Sequence, residues 1–210
     1  LIQTKSFKPT SRVVPDYMQN STYDGGDFVY AATGDSSNTP KGRNLALWNA
    51  NVKARMTKLL NKLGARFNNE PYFEGIGIAE SALGDPVGGV PNFSSSLFYE
   101  NLRIVNKSMK TAFPNTVTFQ FLNYPQNILE NFIAGPTGLK SFGGALGGPD
   151  VWLDDPGVNG PGKVYSYYDR FSHVIPLMPS VMPGNYVNSR HNLSAGFQPT
   201  LTQLLAFARD

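Results

Sequence analysis

The sequence predicts an α/β chain of the (β/α)8, TIM-barrel kind, of which these 210 residues form an incomplete piece. Three observations lead there. Strand-like and helix-like apolar segments alternate along the chain, the order that builds a parallel sheet with helical crossovers. Segments after strands are long and rich in Gly and Pro, whereas helix-to-strand turns are short. That asymmetry belongs to a barrel whose working face lies at the C-terminal ends of its strands. No Gly-x-Gly-x-x-Gly stands at a strand–helix junction, which argues against an open nucleotide-binding sheet.

The elements follow in order. Leu1-Ile2-Gln3-Thr4 reads as the tail of a strand already under way. A polar stretch from Lys5 to Arg43 reads as a long functional loop, within which Val13 to Tyr17 and Phe28 to Tyr30 are candidate small strands or anchors. Trp48, Val52, Met56, Leu59, Leu60 and Leu63 fall at three- and four-residue steps and predict a helix over 45–63, with Gly64 as its stop. After a short turn, Tyr72 to Glu80 reads as a strand. A second helix is predicted over 96–112, with Phe98, Leu102, Val105 and Met109 on one face. Thr116 to Tyr124 is the next strand, followed by a helix-like 126–134 and a glycine-rich approach to Gly148–Trp152. A short helix over 163–171, a strand over His173–Met178 and a helix start at Leu201 complete the chain. The expected domain is therefore a single barrel domain over 1–210 that lacks its first strands and its last.

Composition narrows the function classes. Charged residues make up 16% and the net charge is +3, with Lys and Arg scattered rather than gathered into the stripe that nucleic-acid binding needs. No apolar run approaches a membrane span. Cys is absent, which removes disulfides, thiolate metal sites and a Cys nucleophile. His173 and His191 are the only histidines, without metal-ligand spacing, and no Gly-x-Ser-x-Gly elbow is present. No cofactor is expected. Many Gly, Pro, Asn and Ser residues point to an extracellular or cell-surface setting. Oligomeric state is not legible.

Glu80 carries the main chemical lead, because an acid at the exit of a barrel strand stands where such enzymes keep catalytic groups. Partial desolvation between Ala79 and Ala82 would let its carboxyl act as a proton donor. Glycoside hydrolysis needs a second carboxylate, and Asp150, after Gly147-Gly148-Pro149, is the candidate. Asp154 and Asp155 read as loop caps. Gln3, Asn123 and Tyr124 end strands and suit hydrogen bonds to sugar hydroxyls, while Tyr17, Tyr30 and Trp152 suit stacking on a sugar face. Glu70, in Asn69-Glu70-Pro71, reads as an exposed turn residue. Asp24-Gly25-Gly26-Asp27 reads as a glycine turn ahead of a calcium loop.

From Val13-Val14-Pro15-Asp16-Tyr17 through Leu47-Trp48, Leu63-Gly64-Ala65-Arg66-Phe67 and Phe73-Glu74-Gly75-Ile76 to Glu80-Ser81-Ala82, and again at Gly147 to Val151, the chain resembles a group of exported bacterial proteins. These poorly characterised proteins look like (β/α)8 glycoside hydrolases of the large clan with its acid/base Glu after strand four. The resemblance covers most of the chain. It implies that Leu1–Thr4 ends strand three, Glu80 strand four and Tyr124 strand five, with Asp150 after strand six and the His173 segment as strand seven. Two departures stand out: Ala79 replaces the clan's Asn, and no acid in Pro179 to Met182 matches its strand-seven Glu. The implied function is a secreted, carbohydrate-active barrel, a glycoside hydrolase with Glu80 as general acid/base and an oligo- or polysaccharide as partner. The alternative is a non-catalytic glycan-binding or structural surface, filament or virion protein on the same fold.

Overall fold

Helices and strands alternate in a mixed α/β architecture with one parallel and one antiparallel sheet, each of four strands. The computed structural model describes residues 1–153, 155–186 and 198–209, so Asp154 and His191 lie outside the described residues. The chain separates into two units, Leu1–Thr118 and Phe119–Asp210.

The first unit opens with the antiparallel sheet, built from the stretch whose polarity predicts a loop. Its strands are β1 (Lys5–Ser6), β2 (Asp27–Ala31), β3 (Gly42–Leu45) and, from further along the chain, β5 (Asp85–Pro86), in the order β1-β3-β2-β5. Lys5, Asp27 and Asn44 are buried in it. Each polar group is compensated: Asp27 takes Arg43 and Arg12, while Lys5 and Asn44 donate to backbone carbonyls. Burial of polar side chains is tolerable on those terms.

Helix α1 (Ala50–Phe67) starts five residues later than its apolar pattern suggests, because Asn49 caps it: Asn49 Oδ1 accepts from the Asn51 and Val52 amides at 2.8 and 3.1 Å. Gly64 does not end it. A Cβ there would collide with the Ala112 carbonyl at the end of α2 (Ser95–Ala112), so this glycine sets how closely the two helices approach. Buried Asn101 of α2 donates to the Leu47 carbonyl at 2.8 Å and accepts from Lys53 Nζ at 2.9 Å, tying α2 to the start of α1. Phe67, Phe73 and Phe113 stack at 5.5 and 5.7 Å, and the strand β4 (Gly75–Ile78) follows Phe73 along the chain. Ile2 lies parallel to β4, donating to Gly77 O at 2.7 Å and accepting from Ala79 N at 3.0 Å.

Strand β6 (Val117–Phe121) carries the boundary between the units. The parallel sheet runs in the order β4-β6-β7-β8. In the second unit β7 (Ala145–Pro149) and β8 (Leu177–Ser180) continue from β6, with Phe121 beside Gly147 and Pro149 beside Ser180. Both begin later or end earlier than the sequence suggests, so Asp150 directly follows β7 and His173 sits in a turn before β8 with φ of +63°. Between strands stand α3 (Leu129–Ile133), α4 (Leu139–Phe142) and α5 (Val164–Phe171). The last two helices are α6 (Pro183–Tyr186) and α7 (Leu201–Arg209). Leu129, Phe132, Ile133, Leu139, Leu146, Val164 and Phe171 are buried within this unit.

Candidate functional site

Glu80 follows β4 by two residues and is half-buried. Its Oε1 accepts from the amides of Ser81 and Ala82 at 2.9 and 2.8 Å, so the loop's own backbone fixes the carboxylate. The Ala82 carbonyl accepts from Lys5 Nζ at 2.7 Å, and the Leu83 carbonyl from Asn44 Nδ2 at 3.1 Å. Thus β1 and β3 grip the loop that presents Glu80. Lys5 is only 5% exposed and its ammonium lies 4.2 Å from the Tyr30 ring centroid. Burial lowers the Lys5 ammonium from its ordinary value, and the Glu80 charge opposes that shift. Burial pushes the Tyr30 phenol up to about 12, with the Glu80 charge adding to it. Tyr99 is raised too, by burial first and also by Glu80, against a hydrogen bond with the Leu83 backbone. A lysine and two phenols therefore feel this carboxylate. Tyr30, expected as a stacking surface, is instead buried on β2. Lys5 and Tyr99 are not singled out by residue spacing: β1 is too short and polar to read as a strand, and Tyr99 sits on a helix.

Gln3 spends its amide locally, donating to Lys5 O at 2.8 Å. Tyr17 is 54% exposed, set edge-on to Tyr23 with the Arg55 guanidinium 5.3 Å from its ring centroid. Glu70 is an exposed turn residue paired with Arg66. In the glycine turn, Asp24 accepts from Asn49 and Asn92, and Asp27 is taken up by arginines, which leaves that turn a structural knot.

In the second unit the strand exits converge. A Cβ on Gly148 would lie 2.5 Å from the Tyr168 hydroxyl and 3.3 Å from Asn123 Oδ1, so glycine makes room for both over the end of β7. A Cβ on Gly157 would lie 2.5 Å from the Tyr124 hydroxyl and 2.9 Å from Asp155 Oδ1. Asp155 is buried; Oδ1 accepts from the Gly157 amide at 2.6 Å, as a loop cap does, while Oδ2 has no hydrogen-bond partner among the described residues. Tyr165 binds this group together. Its hydroxyl accepts from the Trp152 amide at 2.8 Å and donates to Asp150 O at 3.2 Å. Burial pushes its phenol up to about 12, against the Trp152 hydrogen bond and with help from Asp150, Asp155 and Tyr124. Trp152 is 3% exposed, so its ring is wall rather than platform, and its indole N–H has no hydrogen-bond partner among the described residues.

Asn123, Tyr124, Asp150 and Trp152 thus share one neighbourhood, together with Asp155, Tyr165 and Tyr168. The last two were legible only as a tyrosine pair three residues apart on α5. Among the described residues no cluster of three or more His, Asp or Glu is placed to hold a metal ion, and no helix is long and apolar enough to cross a membrane. Comparison with protein-family models, curated proteins and solved structures gives no match.

Proposed function

We propose that the chain is a carbohydrate-active domain built on a (β/α)8 barrel, and that it hydrolyses glycosidic bonds with Glu80 as general acid/base. The barrel reading is supported by strand order. With β5 set aside, each strand's neighbour in the parallel sheet is the next along the chain, and Ile2 adds a parallel segment beside β4. An open doubly wound sheet reverses its order at a switch point; none of these strands does.

The observation that carries the functional reading is the chemistry at successive strand exits: Glu80 after β4, Asn123 and Tyr124 after β6, Asp150 after β7. A carboxyl at a strand mouth can protonate a glycosidic oxygen and later activate water. Asp150 would serve as base or as electrostatic stabiliser of an oxocarbenium-like transition state. Amide and phenol groups supply hydrogen bonds to sugar hydroxyls.

Glu80→Gln tests this on the responsive member of a glycan panel. Gln keeps an Oε1 acceptor for the Ser81 and Ala82 amides, so the loop should survive while the transferable proton is lost. Turnover should fall about 10²–10⁴-fold, the usual contribution of a general acid or base. Unchanged turnover would refute the assignment.

A second reading rests on the Glu80 surroundings. A carboxylate engaged by two amides of its own loop and felt by buried Lys5 can serve as a clamp between β4 and the antiparallel sheet. On that reading the chain binds glycans without cutting them, and Glu80→Gln lowers the melting temperature while glycan affinity stays the same.

A further inference from the structure

Within the second unit, residues at β7 and β8 and the helices α5 and α7 line an open-sided cavity of about 670 Å³. That volume falls in the range of small-ligand sites, roughly 300–1,000 Å³. We infer that this cavity is a subsite for a neutral, hydroxyl-rich ligand, one or two sugar residues, with Asp150 as its principal hydrogen-bond acceptor and Tyr165 and Phe207 as its aromatic wall. The inference rests on the carbohydrate part of the proposed function but not on Glu80.

Asp150 lines the cavity with its backbone at φ of +78°, a region L residues rarely adopt and glycine adopts freely. Three contacts hold it there. Tyr165 donates to the Asp150 carbonyl at 3.2 Å, the Trp152 amide donates to Tyr165 at 2.8 Å, and the Val151 amide donates to Asn185 Oδ1 at 3.0 Å. Asn185 is fully buried, so this clamp belongs to the fold. Glycine would meet the backbone's needs at 150 with less strain. The chain carries a carboxylate there instead, and rigid strain of this kind gathers at functional sites.

The lining selects the ligand class. Among the described residues of the lining, Asp150 and Asp169 bring two carboxylates against one guanidinium, Arg209, a balance unfavourable to phosphates and acids. Carboxylates accept from hydroxyls, and vicinal hydroxyls can engage both oxygens of one. Tyr165 and Phe207 meet edge to face at 5.7 Å between centroids, offering apolar surface for the C–H face of a sugar ring. Tyr168 lines the same cavity, and its hydroxyl is unpartnered among the described residues.

Protein-observed NMR on the full chain tests the assignment, with tyrosine and phenylalanine ring signals as reporters. The probes are glucose, galactose, mannose, N-acetylglucosamine and their disaccharides, alongside glucuronate and inorganic phosphate. A neutral sugar should shift the Tyr165 and Phe207 signals. Asp150→Gly should weaken that sugar about tenfold or more, the cost of a charge-assisted hydrogen bond, with a melting temperature equal to or above wild type because glycine suits φ of +78°. Ser172→Trp, at an exposed position on the lining, should abolish binding by filling the space. Preference for glucuronate or phosphate, equal affinity in Asp150→Gly, or absent ring shifts with every neutral sugar would each overturn the inference. Ring shifts from a neutral sugar, with hydrolysis unaffected by Glu80→Gln, would uphold the subsite and remove Glu80 as the acid/base. Hydrolysis lost in Glu80→Gln, without ring shifts from any sugar, would do the reverse.

Discussion

Asp27→Asn should destabilise the first unit by about 3–5 kcal/mol, the cost of breaking a buried ion pair from one side. The Asp27 side chain is fully buried and receives four donors. Arg43 approaches Oδ1 through Nε at 2.8 Å and Nη2 at 2.7 Å, Arg12 Nε reaches Oδ1 at 3.1 Å, and the Val13 amide reaches Oδ2 at 2.8 Å. Asparagine has the same shape but one acceptor. If its oxygen faces the arginines, its NH₂ confronts the Val13 amide; if it is flipped, the NH₂ confronts two guanidiniums. Either way a donor is stranded and Arg43, whose side chain is 14% exposed, loses its counter-charge. Arg12 is a third exposed and contributes little, since water can replace its partner. Most of the loss therefore comes from Arg43. Equilibrium urea unfolding followed by Trp48 fluorescence, in a Trp152→Phe background, isolates this unit because the chain has only two tryptophans. A loss below about 1 kcal/mol would refute the reasoning, since that is the value of an exposed pair. Removing both buried partners, Asp27→Leu with Arg43→Met, should recover much of the stability because no buried unpaired charge remains and Arg12, a third exposed, turns to water.

The other predictions concern titration and helix packing. Tyr30 and Tyr165 are pushed up to about 12 and Tyr99 and Tyr168 are raised as well, all by burial first. Folded values above the unfolded value near 10 mean the native state holds these protons more tightly; the stability so gained is complete below about pH 10 and is lost as pH rises through the folded values. An alkaline titration should show phenolate absorbance appearing in two stages, the later one coinciding with loss of near-ultraviolet circular dichroism. One reversible step for all ten tyrosines near pH 10, with the fold intact, would contradict it. Gly64→Ala, ordinarily favourable within a helix, should instead cost about 1–3 kcal/mol by forcing α1 away from the Ala112 carbonyl. A melting temperature at or above wild type would show that the helices are not held at that separation.

What the sequence made legible was set by how local each signal is. The faces of α1 and α2 were readable because Val52, Met56 and Leu60, or Phe98, Leu102 and Val105, repeat along one continuous segment and are buried together. The exits of β4, β6 and β7 are legible for the same reason, which puts Glu80, Asn123, Tyr124 and Asp150 at strand mouths from the sequence alone. Of the antiparallel sheet, only β2 was legible, as Phe28 to Tyr30; β1 and β3 were hidden because they are short and several of the residues they bury are polar. Lys5, Asp27 and Asn44 look like loop residues until the distant groups that satisfy them, Ala82, Arg43 and Leu83, are seen beside them. Gly64 misled for a related reason: a glycine near the end of an apolar run signals a stop, whereas its role depends on Ala112, 48 residues on, shown by the collision any Cβ would make there. The chemistry of the second unit divides in the same way. Asp150 was found by position along the chain, but Tyr165, which clamps its backbone, and Asn185, which holds the next residue, come from α5 and α6. Spacing can nominate the group that meets a ligand. It does not reveal the groups that hold that residue still, and in this chain those supporting residues decide whether a strand-exit carboxylate is a catalyst, a ligand contact or a clamp.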